Sequence, residues 1–375
     1  MPPRVLVDAT AVPADRGGLG RYVDNLLLAL ARAGTDLVLT CQRADAERYR
    51  RLGEHVTVVP GPPAISHRPA RLAWEQTGLP QVAEQVGAEV VHAPHYTMPL
   101  RTGCPVVVTL HDVTMFTEPA VQDSGRATFF RSATRTALRR ADRCVVPSAA
   151  TRDELVRVLD ADAGRIDVAY HGVDRTVFHR PDEGERARVS ARLGLDGRRW
   201  IAFLGKIEPR KNVPNLVRAW VQAFSDREDA PALVVAGASG WDDDVDRVVR
   251  EVPAHLRVLR PGYLRITDLP GFLGGATMLA YPTLGEGFGL PVLEAMSCGA
   301  PVLTSRRLAI PEVGGDAVEY TDVDPDSLSA AMLALYDDED RRRALTEAGL
   351  ARAEEFTWDR SAAQHLAAYE AAAGA

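Results

Sequence analysis

Along most of the chain, short apolar runs rich in valine, leucine and isoleucine alternate with longer stretches in which apolar residues recur every three or four positions. The first unit of this kind runs from Val5 through Asp8, a four-residue apolar run closed by an acid, into a stretch where Tyr22, Val23, Leu26, Leu27 and Leu30 fall on one helical face. The same reading predicts strands at 36–40, 56–59, 89–92 and 105–110, and one from Arg143 that leads to a helix capped at Ser148. Later strands are predicted at 166–170, 200–204, 232–236, 256–259, 278–281 and 301–305, and an amphipathic helix closes the pattern over 356–373. Strand-like and helical patterns that alternate in this way predict parallel sheets covered by helices on both faces. At 375 residues the chain is long enough for two such domains, and no short-period repeat connects them.

Composition narrows the function classes. Hydrophobic residues at 46% and charged residues at 25% are ordinary for a soluble globular protein. The four cysteines are scattered without CxxC spacing, so neither a disulfide framework nor a zinc site is implied and a reducing compartment suits them. No apolar run reaches the roughly 18 residues of a membrane span. The first residues enter a strand without a signal peptide's apolar core, so a cytoplasmic location is expected, at most peripheral at the inner face of the cell membrane. A net charge of −7 argues against general nucleic-acid binding. One stretch stands out as basic. Arg131, Arg135, Arg139 and Arg143 recur every four residues beside Phe129 and Phe130, which predicts a single helix face. Such a face suits an anionic membrane or a lipid-linked acceptor; a merely solvated face is the alternative.

Four loops carry candidate chemistry. In Gly285-Glu286-Gly287-Phe288-Gly289-Leu290-Pro291-Val292-Leu293-Glu294 the glycines permit positive φ, and Pro291 suits the start of a helix. The amides of Gly287, Phe288, Gly289 and Leu290 are placed to meet an anion, aided by the helix dipole. Glu286 and Glu294, with seven residues between them, flank that anion site; a glycine-capped helix with two solvated glutamates is the bland alternative. In Gly205-Lys206-Ile207-Glu208-Pro209-Arg210-Lys211-Asn212 three cations before a helix form a phosphate clamp. Gly17 and Gly18 make a further glycine turn at the end of the first strand, without the GxGxxG dinucleotide fingerprint. His111 and Asp112 follow the strand at 105–110; a histidine bonded to backbone and an aspartate capping a turn are their structural alternatives.

The spacing of Glu286 and Glu294 around Gly-Phe-Gly-Leu-Pro resembles the signature of the retaining nucleotide-sugar glycosyltransferases of family 4, which have the GT-B fold. The resemblance covers nearly the whole chain and is strongest in the second half. It implies two Rossmann-like α/β domains facing a cleft: 1–180 on the acceptor side, joined by a crossover helix at 357–373, and 181–356 on the donor side. It implies catalytic roles for Glu286, His111 and Lys211. It implies donor contacts from Gly17, Gly18, Lys206, Arg210, Lys211, Gly287, Phe288, Gly289, Leu290 and Glu294, with Glu294 on the ribose and Glu286 on the sugar. Lys206 stands where the family usually has arginine, and His171 replaces the asparagine of a family turn. Neither metal nor cofactor is implied, the nucleotide diphosphate sugar being a co-substrate and the acceptor a carbohydrate, a lipid-linked glycan or a small molecule. The form of the 205–212 loop resembles members that use GDP-mannose. A phosphorylase or epimerase on the same architecture, or a catalytically idle nucleotide-sugar-binding subunit, are the rival readings.

Overall fold

The computed structural model describes residues 3–118 and 124–374. The chain forms two compact units. One comprises 3–117, 124–172 and 357–374; the other comprises Glu118 and 173–356.

The first unit is built on a parallel sheet of seven strands: β1 (Val5–Asp8), β2 (Leu37–Cys41), β3 (Val56–Pro60), β4 (Val90–Ala93), β5 (Val106–Thr109), β6 (Arg143–Val146) and β7 (Ile166–Val168). Their order is β3-β2-β1-β4-β5-β6-β7. The central strands read as unbroken apolar runs because helices cover both faces, and Val5, Leu6, Val90, Val91, Val107 and Val108 are all fully buried. The order reverses between β1 and β4, the place where open α/β sheets bind ligands outside the carboxyl ends of their strands.

The helix Trp358–Ala373 belongs to this first unit, although it follows the whole second unit in the chain. It packs against the helix Gly17–Arg32, with Trp358, Ala362, Ala368 and Tyr369 in one core with Tyr22, Val23, Leu26 and Leu30. A chain of buried polar groups adds to this packing. The His365 ring bonds the Ser361 carbonyl through Nδ1 at 2.7 Å and Tyr22 Oη through Nε2 at 2.8 Å. Tyr22 Oη lies 2.8 Å from Thr109 Oγ1, which lies 2.8 Å from His92 Nε2, while His92 Nδ1 lies 2.9 Å from Tyr369 Oη. A carbonyl only accepts, so His365 Nδ1 must donate to Ser361 and a neutral His365 then accepts at Nε2 from Tyr22. The rest follows in one direction: Thr109 donates to Tyr22, His92 donates to Thr109, and Tyr369 donates to His92. Every donor has an acceptor, both histidines are neutral, and both ends of the chain lie on the terminal helix.

The second unit repeats the architecture with six parallel strands, β8 (Trp200–Leu204), β9 (Ala232–Ala236), β10 (Val258–Gly262), β11 (Met278–Tyr281), β12 (Val302–Thr304) and β13 (Glu319–Tyr320), in the order β10-β9-β8-β11-β12-β13. Here the reversal falls between β8 and β11, which pair directly through Met278↔Ile201 and Leu279↔Ala202. The two-sheet α/β class expected from the alternating pattern is therefore present, and β13, two half-buried residues, is the strand the pattern did not predict.

One expected face is corrected. The basic helix runs Ser124–Arg140 and stops before Arg143, which opens β6 in register with Val107 and pairs with Asp167 at 2.6 Å. Just past the helix end Asp142 accepts the Val106 amide at 2.7 Å, and the four-residue spacing continues beyond the helix. Arg131 donates to the Met115 carbonyl at 2.6 Å, and the Arg135 guanidinium lies 5.1 Å from the Phe116 ring centre. Arg131, Arg135 and Arg139 line a groove with Thr128 and Ser132. Among the described residues no helix is long and apolar enough to cross a membrane.

Candidate functional site

A buried cluster of charge lies at the carboxyl ends of β8 and β11, on either side of the second unit's reversal point. After β8 the chain turns through Gly205, whose carbonyl oxygen lies so close to Gly237 that a Cβ there would come within 1.9 Å of it. The loop then forms a single 3-10 turn, Pro209–Lys211, and Asn212 at φ 59° starts the helix Val213–Phe224. After β11 the chain crosses Pro282, Thr283 and Leu284 to Glu286, and the Leu284 amide donates to the Arg210 carbonyl at 2.9 Å, joining the two loops.

Glu286 is buried and surrounded by donors. Lys211 Nζ bonds directly to Oε1, and Arg210 Nη1 reaches Oε2 at 2.8 Å. Tyr281 Oη donates to Oε1 at 2.8 Å, and Thr283 Oγ1 lies 3.0 Å from the same oxygen. Burial alone would push the Glu286 carboxyl up, but Arg210 and Lys211 outweigh it and hold the group at about 2. Burial and the neighbouring Arg210 lower Lys211 against the pull of Glu286. The pair is an ionised couple inside the protein, with donors on both carboxylate oxygens.

Lys206 stands apart from this pair. Its ammonium lies 4.9 Å from the centre of the Trp241 ring and 3.7 Å from Glu208, whose other oxygen lies 3.8 Å from Arg210. The clamp expected from three cations is thus a relay in which Glu208 and Glu286 already engage Lys206, Arg210 and Lys211. Sequence reasoning missed Glu208 and Thr283 as members of this cluster; their signal was position, two residues from Lys206 and from Gly285. Tyr281 was read only as the last residue of a buried strand.

Of the three turn glycines, Gly289 alone takes positive φ (107°), as the N-cap of the helix Leu290–Ser297. Gly285 and Gly287 do not need the left-handed region, which corrects the expectation for them. The helix starts at Leu290 with Pro291, which has no amide hydrogen, second; no side chain caps it, and the Val292 amide donates to the Gly289 carbonyl at 3.0 Å. Phe288 is buried in edge contact with Phe356. Glu294, one turn into the helix, is only 2% exposed.

In the first unit, His111 is half-buried just past β5, and its Nε2 lies 2.7 Å from the Pro94 carbonyl. Burial drops its pKa to about 4, so the ring is neutral, donates at Nε2 and presents Nδ1 as an acceptor. It meets the Tyr22 ring edge-on at 4.8 Å. Asp112 accepts the Thr114 amide at 2.6 Å, the capping role. His171 is buried and stacks on Trp358 at 5.7 Å. Gly17 opens the helix Gly17–Arg32 at φ 49°, and a Cβ on Gly17 or Gly18 would meet nothing within 4 Å. The Arg16 side chain beside them is tied to Asp24 at 3.6 Å, and also to Asp45.

Comparison with known proteins gives the family of the chain. The profile described as Glycosyltransferase Family 4 matches residues 16–177, and the one described as Glycosyl transferases group 1 matches residues 198–338. O-antigen chain mannosyltransferase B of Escherichia coli is 32% identical over 287 residues, covering 75% of this chain and 74% of that protein. Alpha-maltose-1-phosphate synthase of Mycolicibacterium smegmatis is 30% identical, covering 95% of this chain and 96% of its own. Among solved structures, Anabaena HepE in complex with UDP and glucose superposes with a TM-score of 0.76 at 18% identity, covering 97% of this chain and 98% of that one. WaaG, a glycosyltransferase involved in lipopolysaccharide biosynthesis, gives 0.74 at 16% identity, covering 97% and 98%.

Proposed function

The chain belongs to glycosyltransferase family 4, with the GT-B fold and a nucleotide-sugar donor, and from that premise we propose that it transfers mannose from GDP-mannose to an acceptor hydroxyl with retention of configuration. The observation that carries the reading is the ionised Glu286 held between Arg210 and Lys211 at the carboxyl ends of β8 and β11. A diphosphate carries more charge than a carboxylate and accepts Arg210 through the guanidinium fork, so it displaces Glu286 from the cations. The freed carboxylate then accepts hydroxyls of the donor sugar, and Glu294 accepts those of the ribose. The amides of Gly287, Phe288, Gly289 and Leu290 meet a phosphate oxygen.

In the transfer step the bond from the anomeric carbon to phosphate breaks with its electron pair going to the diphosphate. The acceptor oxygen bonds to the anomeric carbon on that same face, and its proton passes to the departing phosphate oxygen. Arg210 and Lys211 stabilise the charge that builds there, the kind of electrostatic contribution that usually dominates. Glu286 positions the sugar and forms no covalent intermediate. Mannose is favoured by the 205–212 loop and by the Escherichia coli relative, an O-antigen chain mannosyltransferase. For the acceptor, the Arg131/Arg135/Arg139 groove favours an anionic or lipid-linked glycan presented at an anionic membrane surface.

A panel of nucleoside diphosphates and their sugars in a thermal-shift assay, followed by product analysis, tests this. GDP and GDP-mannose at a hundred times their dissociation constants add about 2.7 kcal/mol of stability, and mannose appears on the acceptor with its configuration retained. Stabilisation by UDP-sugars only would replace the donor, and sugar phosphate formed with inorganic phosphate would replace the reaction class.

A further inference from the structure

We propose that Tyr281 is a positioning residue for Glu286, the fixed donor that keeps this carboxylate ionised and aimed once a diphosphate has drawn Arg210 and Lys211 away. The inference rests on the donor-site reading above and adds a residue to it. Tyr281 is fully buried as the last residue of β11, and its ring lies against Phe203 of β8 at 5.8 Å and 28° between planes. The phenol oxygen accepts a hydrogen bond from Lys211 Nζ and turns its own proton to Glu286 Oε1 at 2.8 Å. Its place is therefore set by two adjacent strands and does not depend on a loop.

Flanked by Arg210 and Lys211, the carboxylate has little need of a phenol. The need arises when phosphate takes the cations. Glu286 is 7% exposed, so the loss of Arg210 and Lys211 leaves burial to favour its protonated form, and a protonated carboxyl cannot accept two sugar hydroxyls. The groups that remain are the hydroxyls of Tyr281 and Thr283, with the Glu208 carboxylate as an opposing charge nearby. Thr283 Oγ1 has three acceptors within reach, the carbonyls of Arg210 at 3.3 Å and Gly285 at 3.2 Å and the Glu286 carboxylate at 3.0 Å, and one proton to give. Tyr281 directs its proton at Glu286. It also accepts from Lys211, so as the ammonium turns to phosphate the phenol keeps both groups within bonding distance of their working positions.

The test is Tyr281→Phe, which keeps the ring stacking and removes only the hydroxyl. Three quantities are read: GDP affinity by calorimetry, the pH profile of kcat with KM for GDP-mannose, and the titration of the Glu286 carboxyl carbon by 13C NMR with and without GDP. The expected result is GDP affinity within about twofold of the parent, kcat lower by roughly tenfold for one lost hydrogen bond to a charged group, and an acidic limb of kcat moved to higher pH. KM changes little. In the GDP complex the Glu286 titration moves to higher pH, while in the free protein, where both cations are in place, it stays. Replacement of Tyr281 by 3-fluorotyrosine, a more acidic phenol of nearly the same shape, moves the limb the other way and guards against a folding defect in Tyr281→Phe. An unchanged acidic limb and titration overturn the proposal, and so does a loss of GDP affinity as large as the loss of kcat, since the hydroxyl would then serve Lys211. The NMR arm needs no sugar transfer, so a protein that turns over no donor overturns the function above while still deciding the role of Tyr281.

Discussion

The ammonium of Lys211 and the carboxylate of Glu286, 75 positions apart in the chain, are bonded directly to each other. The groups best placed to hold a phosphate and a sugar thus occupy one another. Removing the negative charge frees the cations, so Glu286→Gln should bind GDP more tightly, on the order of fivefold for about 1 kcal/mol of relieved repulsion. Transfer falls in the same variant because a neutral amide accepts the sugar hydroxyls more weakly than a carboxylate does. Calorimetry with GDP beside initial rates with GDP-mannose reads both effects; weaker GDP binding would refute the idea that Glu286 competes with the diphosphate.

Glu294 and Lys211 should separate from Glu286 in the same experiment. Glu294→Ala weakens bare GDP by roughly 1.5–3 kcal/mol, the range for hydrogen bonds to a charged group, through the ribose alone. Lys211→Ala damages GDP affinity and kcat together, because the lysine meets the diphosphate in the ground state and in the transition state. A Glu294→Ala protein with parental GDP affinity would remove that residue from the nucleotide site.

Transfer should survive chelation. Arg210 and Lys211 supply positive charge where other transferases recruit a divalent ion to the leaving group. Rates in excess EDTA are expected to match the control; loss of activity that magnesium or manganese restores would overturn this account.

Stability should fall with acid in two steps. His365 is depressed to about 4 by burial, with its Ser361 bond opposing, His111 nearby lowering it and Asp167 raising it; burial, His365 and His111 lower His92 as well. Tyr22 and Tyr369 are the titratable groups bonded to the pair. A histidine neutral in the fold and protonated when unfolded makes the unfolded state bind more protons, so stability declines as pH drops from 6.5 toward about 4. The slope is at most about 1.4 kcal/mol per pH unit for each such group. Glu286, also depressed, adds a second decline as pH drops from 4.5 toward about 2. Denaturant melts across pH 4–7 for the parent and His365→Gln check the first step; an unchanged slope in the variant would contradict the role of His365.

Much of the fold was legible because strands buried on both faces must be apolar throughout, as in Trp200–Leu204 and Ala232–Ala236. Strand Glu319–Tyr320 was not, because two half-buried residues at a sheet edge carry no pattern. In the candidate site, Glu286, Lys211 and Glu294 stood out through fixed local spacing. Tyr281 did not, because a tyrosine ending an apolar run reads as core until its partner, Lys211, is brought beside it. The buried histidines were hidden for the same reason: Tyr22 and His365 are 343 positions apart. Arg143 misled in the opposite direction, since regular spacing holds no information about where a helix stops.

The polar chain from Tyr369 to Ser361 also sets an order of events at the ribosome. The first unit's sheet emerges early, but its buried Tyr22 and His92 have no complete set of partners until the segment beginning at Thr357 has been made. Domains of a multidomain chain generally fold in the order of their synthesis. Here the second unit, wholly contained in 173–356 apart from the described Glu118, can close first, while the first waits with its apolar groove uncovered along the helix Gly17–Arg32. The unit whose strands are translated first is thus the one whose last helix is translated last.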